Sequence, residues 1–170
     1  MARLERIVAE VHRVVRWLAK HLAEYGADPN RLYVAGHSAG GHLTAMTMPL
    51  PEVRGGIAIS GIYDLEPIRL NYLNEKLALD TAEAERNSPV RYLPATAGEL
   101  VVAYGTRELP ELCRQSIEYA RAWTERGLPG RLLPVDGADH FTILDALARP
   151  EGVLTQALLA MLGRSSTAGP

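Results

Sequence analysis

Apolar positions recur at three- and four-residue spacing through Leu4, Ile7, Val8, Val11, Val14, Val15, Leu18 and Leu22. That period lays one broad apolar stripe along a helix, and Gly26 followed by Asp28-Pro29 marks its end. The period then changes. Arg31 to Ala35, Val53 to Ser60, Glu99 to Tyr104 and Arg131 to Val135 are short apolar runs, as expected of buried strands. Helical stretches alternate with them: Ala39 to before Pro49, Pro110 to Arg126, Thr142 to Ala148 and Glu151 to Leu162. Proline suits the first turn at Pro110, and Leu112, Cys113, Ile117, Ala120 and Trp123 form the expected buried face. The alternation predicts an α/β domain with a mainly parallel sheet of about four strands and helices on both faces. Residues 66–94 break the rhythm. Short helices are expected around Asn74 to Leu79 and Thr81 to Arg86, then a turn at Asn87-Ser88-Pro89. Such an insertion is either a cap over an active site or a plain surface connection.

The length of 170 residues fits one domain, expected over 1–163, with a small polar tail at 164–170 expected to be frayed. Eighteen basic residues are balanced by 20 acidic ones in no long run, which argues against a nucleic-acid partner. No apolar stretch is long enough to span a bilayer, so no membrane partner is expected. Arg3, Glu5, Arg6 and Glu10 interrupt the first apolar run, unlike a signal peptide. Cys113 is the only cysteine, which leaves no intrachain disulfide and no cysteine-rich metal site. It reads as a small core side chain in a reducing, cytoplasmic setting. His12 and His21 read as solvated surface side chains.

The stretch from Leu32 to His42 carries the chemistry. A short strand runs into Gly36-His37-Ser38-Ala39-Gly40 and then into a helix, the context of a nucleophile elbow. So sharp a turn strains the central residue, and side chains at Gly36 or Gly40 would collide with the neighbouring strand or helix. Ser38 would stand beside the positive end of the helix, with the Ala39 amide as an oxyanion donor. His42 rides on the same helix, cannot face Ser38, and reads as packing or hydrogen-bonded surface. In a parallel sheet, functional groups gather at the carboxyl ends of the strands. Ser38, Glu108 and His140 follow the first, third and fourth strands, in the chain order of an α/β-hydrolase triad. Glu111 and Asp64 are alternative acids, while Asp136 and Asp139 are expected to shape the loop around His140. Tyr63, Tyr72 and Phe141 could line a pocket or serve packing alone.

The segments GHSAGGHL, SGIYDLEPI, ELPELCRQS, DHFTILD and GVLTQALL resemble the arylformamidase (kynurenine formamidase) group of α/β-hydrolases, relatives of hormone-sensitive-lipase-type esterases. The resemblance runs from about Leu32 to Leu162. It implies Ser38 as nucleophile, His140 as base and Glu108 as acid, where the family often has aspartate. It also implies hydrolysis of N-formyl-L-kynurenine in tryptophan degradation, or of short acyl esters, without metal or organic cofactor. The family's His-Gly-Gly motif, which supplies half of the oxyanion hole, is absent from this sequence. The chain is therefore expected to correspond to the C-terminal portion of an α/β-hydrolase fold, with one edge of the elbow strand unpaired. A preceding segment or a homodimer could complete the sheet. A non-catalytic hydrolase-like protein is the competing expectation.

Overall fold

A computed structural model describes residues 3–164 of the chain. Four strands form its sheet: β1 (Tyr33–His37), β2 (Gly55–Ile59), β3 (Glu99–Gly105) and β4 (Gly130–Val135). They lie in the order β1-β2-β3-β4, every neighbouring pair parallel. Helices α1 (Leu4–His21), α2 (Ala39–Thr47) and α6 (Pro110–Glu125) cover one face. Helix α7 (Val153–Arg164) covers the other. Between β2 and β3 run α3 (Glu66–Arg69), α4 (Asn74–Leu77) and α5 (Thr81–Arg86).

The two-residue period of the strands divides the core. Ala58, Leu100 and Val102 point toward Val15, Ala45, Met48, Tyr119 and Trp123. Ile57, Ile59, Val101 and Ala103 meet Ile143, Leu154, Ala157 and Met161 on the opposite face. Strand β2 is buried along its whole length, whereas β1 pairs only with β2 among the described residues and exposes Ala35. The expected unpaired edge of the elbow strand is therefore present. The tail expected at 164–170 falls, from residue 165 onward, outside the described residues.

Several local expectations need correction. Helix α1 buries Val8 and Val15 but leaves Val14 exposed, because it packs mainly against α2 and the turn before β1. Gly26 ends this segment at φ 75°, the left-handed conformation that glycine adopts freely. His12 is not free in solvent: its Nε2 meets the Met46 carbonyl at 2.8 Å and ties α1 to α2. His21 pairs with Glu24 at the surface and stacks on Trp17, as a surface side chain should. Thr142–Ala146 is a short 3-10 turn rather than a helix to Ala148.

Helix α6 buries Gln115, Ser116, Tyr119, Ala120 and Trp123, while Ile117 is exposed and Leu112 and Cys113 are half-buried. Two contacts turn the helix this way. The Tyr63 and Tyr119 rings stack at 4.3 Å. Gln115 Oε1 accepts the backbone N–H groups of Tyr63 and Asp64, each at 2.8 Å. A buried glutamine serving two main-chain donors lies outside any apolar pattern.

The insertion packs Leu65, Leu79 and Ala84 against Leu4, Ile62 and Ile68. The fully buried Glu83 carboxylate takes the Arg3 guanidinium, which holds its pKa below the usual glutamate value. The Asn87 carbonyl accepts His42 Nε2 at 2.7 Å. These bonds tie the insertion to α1 and α2, as a surface connection would. Among the described helices, none is long and apolar enough to cross a membrane.

Of the two expected places for His42 the structure shows packing: it is buried, because the insertion closes over it. A carbonyl can only accept, so Nε2 carries the proton, and burial pushes the imidazole pKa down from 6.5. The unfolded chain then binds this proton at higher pH than the folded one. Stability from this residue is complete above about pH 6.5 and is lost as pH falls below it. In His42→Gln, which keeps a donor but cannot titrate there, urea melts between pH 7.5 and 5.5 should show a smaller loss of stability than wild type.

Candidate active site

The site begins with a backbone constraint. A Cβ on Gly36 would stand 2.3 Å from the Gly40 carbonyl oxygen, so the strand and the first turn of α2 touch without room for a side chain. Between them Ser38 takes φ 56°, ψ −116°, a region that non-glycine residues rarely visit. Its N–H is held by the Ile59 carbonyl at 2.9 Å, stapling the turn to β2. Gly40 differs from expectation: a Cβ there meets nothing within 4 Å. The second glycine the turn needs is Gly41, whose Cβ would lie 2.8 Å from Gly61 Cα and the Ile59 oxygen. The backbone approach that demands a glycine comes one residue later, where α2 crosses the end of β2.

At the open end of this turn, Ser38 Oγ lies 3.0 Å from His140 Nε2. His140 Nδ1 lies 3.2 Å from Glu108 Oε2. The sheet explains why three residues so distant in sequence meet. All four strands run the same way, so the loops after β1, β3 and β4 open at one end. Asp139 builds the last loop by accepting the N–H groups of Phe141 and Thr142, each at 2.9 Å. That is the shaping role expected of it. His37 Nε2 donates to the His140 carbonyl at 2.7 Å, so the elbow also grips the loop carrying the histidine.

The Glu108 side chain is fully buried. Its Oε1 accepts Ser60 Oγ at 2.5 Å and the Gly105 N–H at 2.9 Å, leaving Oε2 to His140. The alternative acids are engaged elsewhere. Asp64 accepts the Glu66 N–H and faces Arg91, and Glu111 pairs with Arg114; Asp136, expected to shape the His140 loop, accepts Thr106 Oγ1. Phe141 is exposed with its ring edge-on to His140 at 5.3 Å, at the mouth of the site. Tyr63 is buried in the core and Tyr72 is exposed in the insertion. Cys113 is half-buried, and burial raises its thiol pKa, consistent with packing rather than reactivity.

Ala39 opens α2, so its N–H has no acceptor within the helix and sits at the positive end of the helix dipole. Among the described residues no group of three or more His, Cys, Asp or Glu could hold a metal ion. Ser60 and Gln115 are residues that motif reading did not assign, and His37, which it placed in the elbow, gains its bond to the His140 carbonyl. The position of Ser60 directly after β2 was the available signal.

Residues 1–100 match the family model described as alpha/beta hydrolase fold. The chain belongs to this family. It is 38% identical over 147 residues to kynurenine formamidase of Danio rerio, covering 79% of this chain and 50% of that protein. The kynurenine formamidase of Salmo salar is likewise 38% identical, over 148 residues, with the same coverage of each. The chain thus spans half the length of these two relatives. The crystal structure of a candidate thioesterase from Silicibacter sp. TM1040 superposes with TM-score 0.77 at 28% identity, covering 93% of this chain and 59% of that one. In this α/β-hydrolase the two glycine positions of the elbow should respond differently. Gly36→Ala should lose about 3 kcal/mol or more, because backbone cannot step aside as a side chain can. Gly40→Ala should stay within about 1 kcal/mol of wild type in the same denaturant melts.

Proposed function

We propose that this protein is a serine hydrolase that cleaves a formamide or a short-chain carboxylic ester through an acyl-enzyme. The observation that carries the reading is the unbroken hydrogen-bonded line from Ser38 through His140 to Glu108. The formamidase relatives favour N-formylkynurenine as the substrate, with formate and kynurenine as products.

Ser38 Oγ attacks the carbonyl carbon while its proton passes to His140 Nε2. Glu108 stays ionised and stabilises the imidazolium through Nδ1. The Ala39 N–H points its partial positive charge at the developing oxyanion. Collapse breaks the C–N bond of the formamide, or the C–O bond of an ester, and His140 returns the proton to the leaving group. Water, deprotonated by His140, then attacks the acyl carbon, releases the acid and restores Ser38. These steps use no metal or organic cofactor.

Formamide and ester differ here only in the leaving atom, so a general carboxylesterase is the second reading, favoured by the similarity to the esterase LipC of Mycobacterium tuberculosis, 28% identical over 151 residues. A second oxyanion donor would come from whatever strand pairs with the open edge of β1, whether a preceding segment or a second copy of the chain.

A fluorophosphonate probe should label wild-type protein and leave Ser38→Ala unlabelled. N-formylkynurenine and p-nitrophenyl acetate assayed side by side should show which leaving group is preferred. His140→Ala should lower kcat by about 10⁶. No labelling together with no turnover of either substrate would instead identify a non-catalytic member of the family.

A further inference from the structure

We propose that Ser60 is a positioning residue for the Glu108 carboxylate, acting on the triad from behind; this rests on the function proposed above. Ser60 is fully buried just past the carboxyl end of β2, and its Oγ bonds the Glu108 oxygen that does not face His140. Its Oγ donates to Glu108 Oε1 at 2.5 Å, and the Gly105 N–H donates to the same oxygen at 2.9 Å. The two donors belong to different strand ends, β2 and β3. Together they fix the plane of the carboxylate and leave Oε2 aimed at His140 Nδ1. With the Gly105 N–H alone, the carboxylate could rotate about that single contact and Oε2 would lose its aim.

The backbone around Ser60 is built to hold this hydroxyl still. Ser60 has φ 50°, a left-handed conformation for which glycine would be the ordinary residue. Its N–H is fixed to the Ala103 carbonyl at 2.7 Å. The next residue, Gly61, lies so close to its neighbours that a Cβ would fall 2.6 Å from the Tyr63 hydroxyl and 3.0 Å from the Gly41 carbonyl carbon. The segment cannot swing aside. A serine kept where glycine would fit with less strain points to its hydroxyl as the reason.

Ser60 O–H and Gly105 N–H both donate to one carboxylate oxygen, and His140 Nδ1 faces the other. Without Ser60 a buried anion would keep one donor fewer, and the imidazolium formed during turnover would be held less well.

The test compares Ser60→Gly with Ser60→Ala. Glycine removes the hydroxyl and relieves the positive φ, so it should fold as well as wild type. Both variants should lower kcat on p-nitrophenyl acetate about tenfold, with KM within about twofold, as expected for losing one hydrogen bond to a charged group. In proton NMR at low pH, the low-field His140 Nδ1–H resonance should move upfield or broaden in both. Wild-type turnover in Ser60→Gly would show that only the backbone matters and would overturn the proposal. An unchanged Nδ1–H resonance in either variant would overturn it as well. The resonance needs no turnover, so if wild type hydrolyses neither substrate the proposed function falls while the role of Ser60 is still decided.

Discussion

Everything at the site depends on the contact between the backbone of Gly36 and the carbonyl of Gly40, where only a hydrogen can stand. It lets the chain turn from β1 into α2 within one residue, and Ser38 takes the strained conformation that results. The strain is held in place because the Ser38 N–H is bonded to β2 and α2 is pressed onto Gly61. Loosening any of these contacts would let the serine relax toward an ordinary strand-to-helix loop, with its hydroxyl pointing elsewhere.

The parallel sheet then brings the other groups to that point. Each crossover returns the chain to the same end of the sheet, one strand further along, so every strand delivers its last residues to the opposite end. β1 delivers Ser38, β2 delivers Ser60, β3 leads to Gly105 and Glu108, and β4 leads to His140. The histidine is gripped from two sides, by Glu108 at its ring and by His37 at its own carbonyl. A loop held this firmly keeps the ring aimed at Ser38, which is the preorganisation the proposed chemistry needs.

The Glu83 and Glu108 side chains are both completely buried, and comparing them shows why burial alone does not mark a candidate acid. Glu83 meets the Arg3 guanidinium and the Glu5 N–H, and its work is to fasten the insertion to α1. Among the described residues no arginine or lysine pairs with Glu108; its partners are a hydroxyl, an amide and a histidine. A full positive charge would satisfy Glu108 permanently. Partial donors leave its field free to act on an imidazolium that forms only during a reaction.

Much of this was legible along the chain, because it is local. The strand-Gly-x-Ser-x-Gly-helix pattern places the elbow, the change of period places the four strands, and the order of Ser38, Glu108 and His140 names the groups that meet. What the chain did not show comes from contacts between distant segments. Gln115 turns α6 because two amides after β2 need an acceptor, and His42 is buried because Asn87, 45 residues away, closes over it. Gly41 rather than Gly40 is the tight position because α2 crosses Gly61 there. The choice of Glu108 over Asp64 or Glu111 was made by which carboxylate the folded sheet points at His140. Periodicity and motif spacing record what a residue does with its near neighbours. Which buried polar groups find each other across the sheet is decided only when the strands are side by side, and there the tertiary structure has the final word.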